Sequence, residues 1–137
     1  MRSILIHLRN APEKDIAAFL QQACSSSQAR PWLVGRAGSP VLYIDFYHDI
    51  DKEYEAEDLL DLTACLQGKP RASVIVDVSG SIPGNKEVQE FVCSILGAFE
   101  GIAHDEYTNH CWTREEVLNN ERIQGHTFFD YEGWHRQ

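Results

Sequence analysis

The stretch from residue 72 to 78, Ala-Ser-Val-Ile-Val-Asp-Val, constrains the fold more than any other part of the chain. It is rich in β-branched residues and is bounded by Gly68 and Pro70 on one side and by Gly80 on the other, which is typical of a strand. A nearly continuous apolar run predicts a strand with neighbours on both edges and at least one covered face. We therefore expect residues 72–78 to form a central strand.

The rest of the chain alternates between strand and helix periodicities. Gly and Pro, together with a Ser run, separate these segments. The patterns predict, in order, a strand at 3–9, a helix at 12–25, a hairpin at 32–36 and 41–48, a helix with its apolar stripe at 59–66, the central strand, a helix at 85–97, an edge strand at 98–104 and a short helix from 113.

This order predicts an α/β protein of the α+β sandwich type. It begins like the split βαβ, ferredoxin-like core, to which the chain adds a helix, an edge strand and an irregular aromatic carboxyl-terminal tail. We expect a mostly antiparallel sheet with helices on one face.

With 137 residues, of which 43% are apolar, the chain suits a single globular domain over residues 1–137. Such a fold hosts many unrelated functions.

Apolar runs are short throughout, and none approaches the length of a membrane span. No signal-type segment is recognisable, so we expect a cytoplasmic protein without a membrane partner or a cofactor. The four cysteines, Cys24, Cys65, Cys93 and Cys111, are far apart and form no Cys-x-x-Cys pair. We expect them to be reduced and buried.

Two features could indicate a metal or catalytic site. The run from Asp77 to Ser81 resembles the metal-ion-dependent adhesion motif of von Willebrand factor A domains, in which a carboxylate and two hydroxyls coordinate a divalent cation. The resemblance is confined to this short stretch, and we favour a polar turn between the strand and the helix as its explanation. The second feature is a set of histidines with nearby acids or a thiol, namely His104 with Asp105, His110 with Cys111, and His126 with Asp130. Such pairs suit zinc binding or general base catalysis, but these spacings match no compact metal pattern, and we predict neither a catalytic nor a metal residue.

The carboxyl-terminal third contains aromatic residues that alternate with polar and titratable ones. Its members are Trp112, Thr113, Glu115, Glu116, Val117, Gly125, His126, Phe128, Phe129, Asp130, Tyr131, Gly133 and Trp134. This pattern resembles one found near the carboxyl terminus of small bacterial proteins that are similar to immunity proteins of polymorphic or contact-dependent toxin systems. The resemblance implies a noncatalytic inhibitor that binds one toxin. Alternatively, the rings of Phe128, Phe129, Tyr131 and Trp134 fasten an irregular tail to the core.

The charge pattern agrees with a basic protein partner. The chain carries 21 acids against 12 Lys and Arg residues, a formal charge of −9, which argues against direct binding of nucleic acid. Clustered carboxylates can mimic phosphates and steer association with a basic toxin domain such as a nuclease, although acidic helix faces are often simply solvated. The predicted partner-binding residues are Asp49, Asp51, Glu53, Glu55, Glu57, Asp58 and Asp61, with Tyr43, Tyr47 and Tyr54 as aromatic anchors. The alternative is a small hydrolase that depends on a metal or on His and carboxylate groups, with its site near the carboxyl-terminal histidines.

Overall fold

The computed structural model describes residues 2–24, 30–36, 39–80 and 83–130, except for the side chains of Arg36, Asp51 and Glu53. Helices and strands follow one another nearly as predicted, with one short helix more in the described part. The elements are β1 (Arg2–Leu8), α1 (Glu13–Ala23), β2 (Trp32–Arg36), β3 (Ser39–Phe46), α2 (Ile50–Glu53), α3 (Ala56–Leu66), β4 (Ala72–Val78), α4 (Asn85–Ala98), β5 (Gly101–His104) and α5 (Arg114–Leu118).

The five strands form one sheet in the order β2-β3-β4-β1-β5, with every neighbouring pair antiparallel. β4 is the middle strand, as its apolar run predicts, and it pairs with β1 from Arg2↔Val78 to Leu8↔Ala72. The α+β class and the antiparallel sheet are thereby confirmed. β5 lies at one edge, as predicted, and β2 lies at the other.

The strand order differs from the split βαβ arrangement expected from the sequence. In that arrangement β1 and β2 would run parallel with one strand between them, whereas here both β4 and β3 separate them and they run in opposite directions. The reason is that β4 accepts partners along both edges: β1 occupies one, and the β2–β3 hairpin is added at the other.

One face of the sheet, which we call the helical face, packs against α1 and α4. Ile4, Ile6 and Leu8 of β1 lie on this face, and all three are buried. They share the main core with the apolar stripes of the two helices, which include Ile16 and Leu20 of α1 and Val88, Phe91, Val92 and Ile95 of α4. Alternate apolar residues of β1 and β3, such as Ile6 and Ile44, are buried in this core, as the two-residue period of a strand requires.

The opposite face, which we call the open face, is partly covered by α3. Leu62 and Leu66 of α3 pack on Ile102 of β5 and form a second, smaller core with Tyr54 and Cys111. The expectation that helices cover only one face was therefore wrong. The apolar stripe of α3 was recognised in the sequence, but periodicity does not reveal which face of a sheet a helix will cover.

The described part of the tail packs into the main core. Phe129 is 1% exposed, and the ring of Phe128 lies 5.5 Å from that of Trp112, centroid to centroid. Asn85 is the first residue of α4, and its amide Nδ2 donates to the carbonyl of Phe129 at 2.7 Å. Phe128 and Phe129 thus fasten the tail, whereas Tyr131 and Trp134 lie outside the described residues.

The cysteines divide into two classes. Cys24 and Cys93 are free and buried, as expected, and burial raises the pKa of the Cys24 thiol to about 11. Cys65 and Cys111 form a disulfide, with Cα atoms 6.6 Å apart, so the expectation of four reduced thiols was wrong for this pair. Their distance in sequence hid the pairing, which arises because α3 packs beside β5 and the segment after it. Nowhere in the described ranges is a helix long and apolar enough to cross a membrane.

Candidate functional site

A cleft of about 470 Å³ lies on the open face of the sheet, and we call it the acidic cleft. β1 and β4 contribute Leu5 and Ile75, α3 contributes Asp58 and Asp61, and the loop after β5 adds further polar residues. Its lining residues are Ser3, Leu5, Tyr47, Tyr54, Asp58, Asp61, Ile75, His104, Asp105, Glu106, Thr108 and Asn109.

The structure brings four of the predicted partner-binding residues to this cleft: Asp58, Asp61, Tyr47 and Tyr54. The cleft lining does not include Tyr43, Asp49, Glu55 or Glu57. Tyr43 lies on the open face opposite Asp77 of β4, Asp49 and Glu55 precede α2 and α3 as their N-caps, and Glu57 is in the first turn of α3. The side chains of Asp51 and Glu53 lie outside the described part of the structure.

Asp58 and Asp61 lie on the same face of α3 because of their helical spacing. The two residues are three positions apart on α3, so they lie on one face of the helix, while Leu62 and Leu66 are buried. Both carboxylates are exposed, and neither has a hydrogen-bond or ion-pair partner among the described residues. Their negative charge is therefore available to a ligand.

Two other acids in the acid-rich segment from Asp45 to Asp61, which we call the acidic run, are paired within the chain. Asp45 accepts a hydrogen bond from Arg30 Nε at 2.6 Å, and Asp49 lies 3.9 Å from the Lys52 ammonium. The beginning of the acidic run is thus partly neutralised within the chain. At its end, Asp58 and Asp61 reach the cleft and have no ion-pair partner among the described residues.

Two further carboxylates come from the loop after β5, and their roles differ. Glu106 is exposed and accepts the backbone N–H of Ser3 through Oε1. Asp105 is buried and accepts backbone N–H groups of Tyr107, Thr108 and Phe129. Glu106 therefore adds charge at the cleft, while Asp105 holds the loop in place.

A chain of hydrogen bonds runs beside the cleft and links four side chains. Ser73 Oγ lies 2.8 Å from His7 Nδ1, and His7 Nε2 lies 2.9 Å from the Tyr54 hydroxyl. The same hydroxyl lies 2.7 Å from His104 Nδ1. Tyr54 is thereby held between two imidazoles, and its position in the cleft is fixed.

Both imidazoles of this chain favour their neutral form. Burial, with a smaller contribution from His104, lowers the pKa of His7 to about 3. Burial also lowers the pKa of His104, although Asp105 and Asp58 act in the opposite direction. The negative charge of the cleft is therefore not cancelled by these two histidines near neutral pH.

The carboxyl-terminal histidines have separate partners rather than a shared site. His104 contacts Tyr54 and Cys111, His110 Nε2 lies 2.9 Å from Glu116, and His126 Nδ1 lies 2.9 Å from Asp130. Within the described ranges, no group of three His, Cys, Asp or Glu side chains could hold a metal ion. The histidine-based alternative gains no assembled metal-ligand set from this arrangement.

The adhesion-type motif is also engaged in local contacts where it is described. Asp77 accepts a hydrogen bond from the Ser3 hydroxyl, and the Ser79 carbonyl accepts one from Arg2 at 3.0 Å. Ser81 lies outside the described residues. These contacts agree with a polar turn.

Sequence reasoning did not identify several residues of the cleft, among them Ser3, Glu106, Thr108 and Asn109. Ser3 precedes the buried Ile4 in β1 and lies on the opposite face of the strand, but no local signal in the sequence shows that the loop after β5 meets it there. No protein-family model, curated protein or solved structure matches the chain.

Proposed function

We propose that the protein is a noncatalytic binding protein, an immunity-type inhibitor that receives a basic segment of a toxin domain in the acidic cleft. The observation that carries this proposal is the pair of exposed, unpaired carboxylates of Asp58 and Asp61 in a cleft that also contains Glu106. The immunity class comes from the resemblance of the aromatic carboxyl-terminal pattern, and the basic character of the partner comes from the charge of the cleft.

The chemistry of the cleft suits a Lys or Arg side chain. Among the described residues that line it, none is Lys or Arg, so no cation of the chain competes for the carboxylates. An inserted guanidinium can form charge-assisted hydrogen bonds with Asp58 or Asp61 and can stack on Tyr47 or Tyr54. Each of these interactions selects for a cationic side chain.

The size of the cleft limits what can enter it. A volume of about 470 Å³ holds one or two side chains rather than a whole element of a partner. A specific protein interface buries roughly 800 Å² on each side, so the contact must extend beyond the cleft. Glu55 and Glu57, which are exposed at the start of α3, are the adjacent predicted residues that would continue the negative surface.

The net charge of −9 supports rapid association with a basic domain, because opposite charges steer diffusional encounter. Steering of this kind weakens as salt screens the charges. For a toxin that is a nuclease, the carboxylates would occupy the region that binds phosphates. We infer that the protein acts in the cytoplasm, where such a toxin would reach its target.

We favour this proposal over the hydrolase alternative for a structural reason. A hydrolase near the carboxyl terminus would need His104, His110 or His126 to act together with a neighbouring group on a bound substrate. Each of these histidines contacts a different partner, and only His104 is among the lining residues of the acidic cleft.

The test compares two triple variants with the same change in charge. The cleft variant is Asp58→Asn, Asp61→Asn and Glu106→Gln, and the control variant is Asp15→Asn, Glu90→Gln and Glu121→Gln, whose residues are exposed and outside the cleft lining. Each tagged protein is used to capture partners from an extract of the source cells at low and then high salt.

The proposal predicts one stoichiometric basic protein on the wild type and on the control variant, released by high salt, and little or none on the cleft variant. Equal capture by the cleft variant would show that the interface lies elsewhere. Capture of no protein by the wild type, together with turnover in a broad hydrolase screen, would favour the enzymatic alternative.

A further inference from the structure

The disulfide between Cys65 and Cys111 connects the two sides of the acidic cleft. Cys65 belongs to α3, which carries Asp58 and Asp61, and Cys111 follows the loop that carries Asp105 and Glu106. We propose that this disulfide is a redox-active site that undergoes thiol–disulfide exchange with small thiols, and that it favours cationic thiols. This inference does not depend on the proposed inhibitor function.

The two sulfur-bearing residues differ in exposure. Cys65 is exposed, whereas Cys111 is only partly exposed and packs against the second core. An external thiolate therefore reaches Cys65, and Cys111 is the leaving group. Exposed disulfides are more open to thiol–disulfide exchange than buried ones.

His104 is positioned to assist departure of the Cys111 sulfur. Its Nε2 lies 3.3 Å from Cys111 Sγ. A disulfide sulfur carries no proton, so it can only accept, and Nε2 must carry the hydrogen. The neutral imidazole then has a bare Nδ1, which accepts the hydrogen of the Tyr54 hydroxyl.

The same reasoning fixes the remaining hydrogen bonds. Because Tyr54 has used its only hydrogen, His7 Nε2 must donate to it, and His7 Nδ1 is left to accept from the Ser73 hydroxyl. All four hydrogen bonds thus point from buried Ser73 toward the disulfide. The charged or titratable groups around His104 are Asp105 and Asp58, with His110 and His7 also close.

Exchange proceeds by two successive attacks of a thiol on a disulfide sulfur. The attacking thiol loses its proton to solvent, and its thiolate forms a new bond to Cys65 Sγ while the bond between Cys65 and Cys111 breaks. The electron pair of the broken bond leaves on Cys111 as a thiolate, which accepts the N–H of His104. A second thiol then attacks the mixed disulfide, which releases Cys65. The protein disulfide is reduced by two electrons, and two thiol molecules become one oxidised disulfide.

The preference for cationic thiols follows from the spacing on α3. Asp58, Asp61 and Cys65 are separated by three and four residues, so they share one face of the helix. A positively charged thiol such as cysteamine is attracted to this face, whereas an anionic thiol such as 3-mercaptopropionate is repelled. The free cysteines do not compete, because burial raises the thiol pKa of both Cys24 and Cys93.

The first experiment treats the folded, oxidised protein with cysteamine or 3-mercaptopropionate, quenches the reaction with acid and locates the adduct by peptide mass spectrometry. We expect the mixed disulfide on Cys65, and we expect cysteamine to react roughly threefold to tenfold faster at equal thiolate concentration and low salt.

Asp58→Asn with Asp61→Asn should remove this preference for cysteamine, whereas Asp15→Asn with Glu90→Gln should keep it. An adduct on Cys111, equal rates for the two thiols, or no exchange until the protein is denatured would overturn the proposal.

The second experiment tests His104 as a positioning residue in the reduced protein. The pH profile of Cys111 alkylation reports how readily its thiolate forms. His104→Gln should slow alkylation near neutral pH by roughly threefold to tenfold, the effect of losing one hydrogen bond. Tyr54→Phe, which keeps the ring and removes the hydroxyl, should change the profile in the same direction, and His110→Gln should not. An unchanged profile in both the His104 and the Tyr54 variants would exclude this role.

Discussion

Asp105 Oδ2 accepts a hydrogen bond from the backbone N–H of Phe129 at 2.9 Å. Its other oxygen, Oδ1, accepts the backbone N–H groups of Tyr107 and Thr108 at 3.1 Å each. One buried carboxylate therefore fixes both the loop beside the acidic cleft and the start of the aromatic tail. The described part of the tail and the cleft are thus connected through one side chain, although the rings of Phe128 and Phe129 pack on the helical face.

Replacing Asp105 should destabilise the protein strongly. Asp105→Ala leaves three backbone N–H groups without their acceptor in a buried site, so we expect a loss of about 2–4 kcal/mol in the free energy of unfolding. Asp61→Asn changes the same charge at an exposed position without a hydrogen bond and should alter stability by less than about 0.5 kcal/mol. Urea unfolding measures both changes, and similar values for the two variants would show that Asp105 has no special role.

Acid should weaken the fold through His7. Because the folded pKa of His7 is lowered to about 3, the unfolded chain binds a proton below its ordinary pKa of 6.5 while the folded protein does not. The contribution of neutral His7 to the free energy of unfolding is therefore present above pH 6.5 and is lost as the pH falls toward 3. Between pH 6.5 and 5 this one group accounts for a loss of about 2 kcal/mol.

The measurement for His7 is urea unfolding at neutral pH and at pH near 5. His7→Gln has no imidazole to protonate, so the loss of stability between the two pH values should be smaller than in the wild type by about that amount. If both proteins lose the same free energy, burial of a neutral His7 does not explain the acid sensitivity.

The tail should contribute to the core rather than to recognition where its rings are buried. Phe129 is 1% exposed, so Phe129→Ala should cost about 3–5 kcal/mol through lost packing and the cavity that remains. Leu118 is 49% exposed, and Leu118→Ala should have a much smaller effect. Thermal unfolding of the two variants decides this, and a minor loss for Phe129→Ala would indicate that the tail is not part of the core.

Local sequence patterns predicted the elements well because their information lies within each segment. The run at 72–78 indicated a central strand from its own composition, and the short helix predicted from residue 113 begins with a capping box between Thr113 and Glu116. Local patterns do not show which strands pair, because paired strands such as β1 and β4 are separated by a long stretch of chain. The split βαβ order was therefore wrong in its pairing, although the fold class was right.

Only some residues of the candidate site could be predicted, because the others reach the cleft from distant parts of the chain. Asp58 and Asp61 belong to one conspicuous acidic run, but Glu106 enters the cleft from a loop beyond β5. His7 is buried beside Tyr54, which is 47 residues away in sequence, and the disulfide joins cysteines 46 residues apart. Contacts of this kind arise from packing, and periodicity does not encode them.

The most direct test of the acidic cleft is the affinity of the captured partner for three proteins: the wild type, the cleft variant with Asp58, Asp61 and Glu106 neutralised, and the control variant of equal charge. Isothermal titration calorimetry at one salt concentration gives the three dissociation constants. We expect the cleft variant to bind at least about tenfold more weakly, a difference of about 1.4 kcal/mol, and the control variant to bind within about threefold of the wild type. Equal weakening in the cleft and control variants would mean that only net charge matters, and unchanged binding by the cleft variant would contradict the cleft as the binding site.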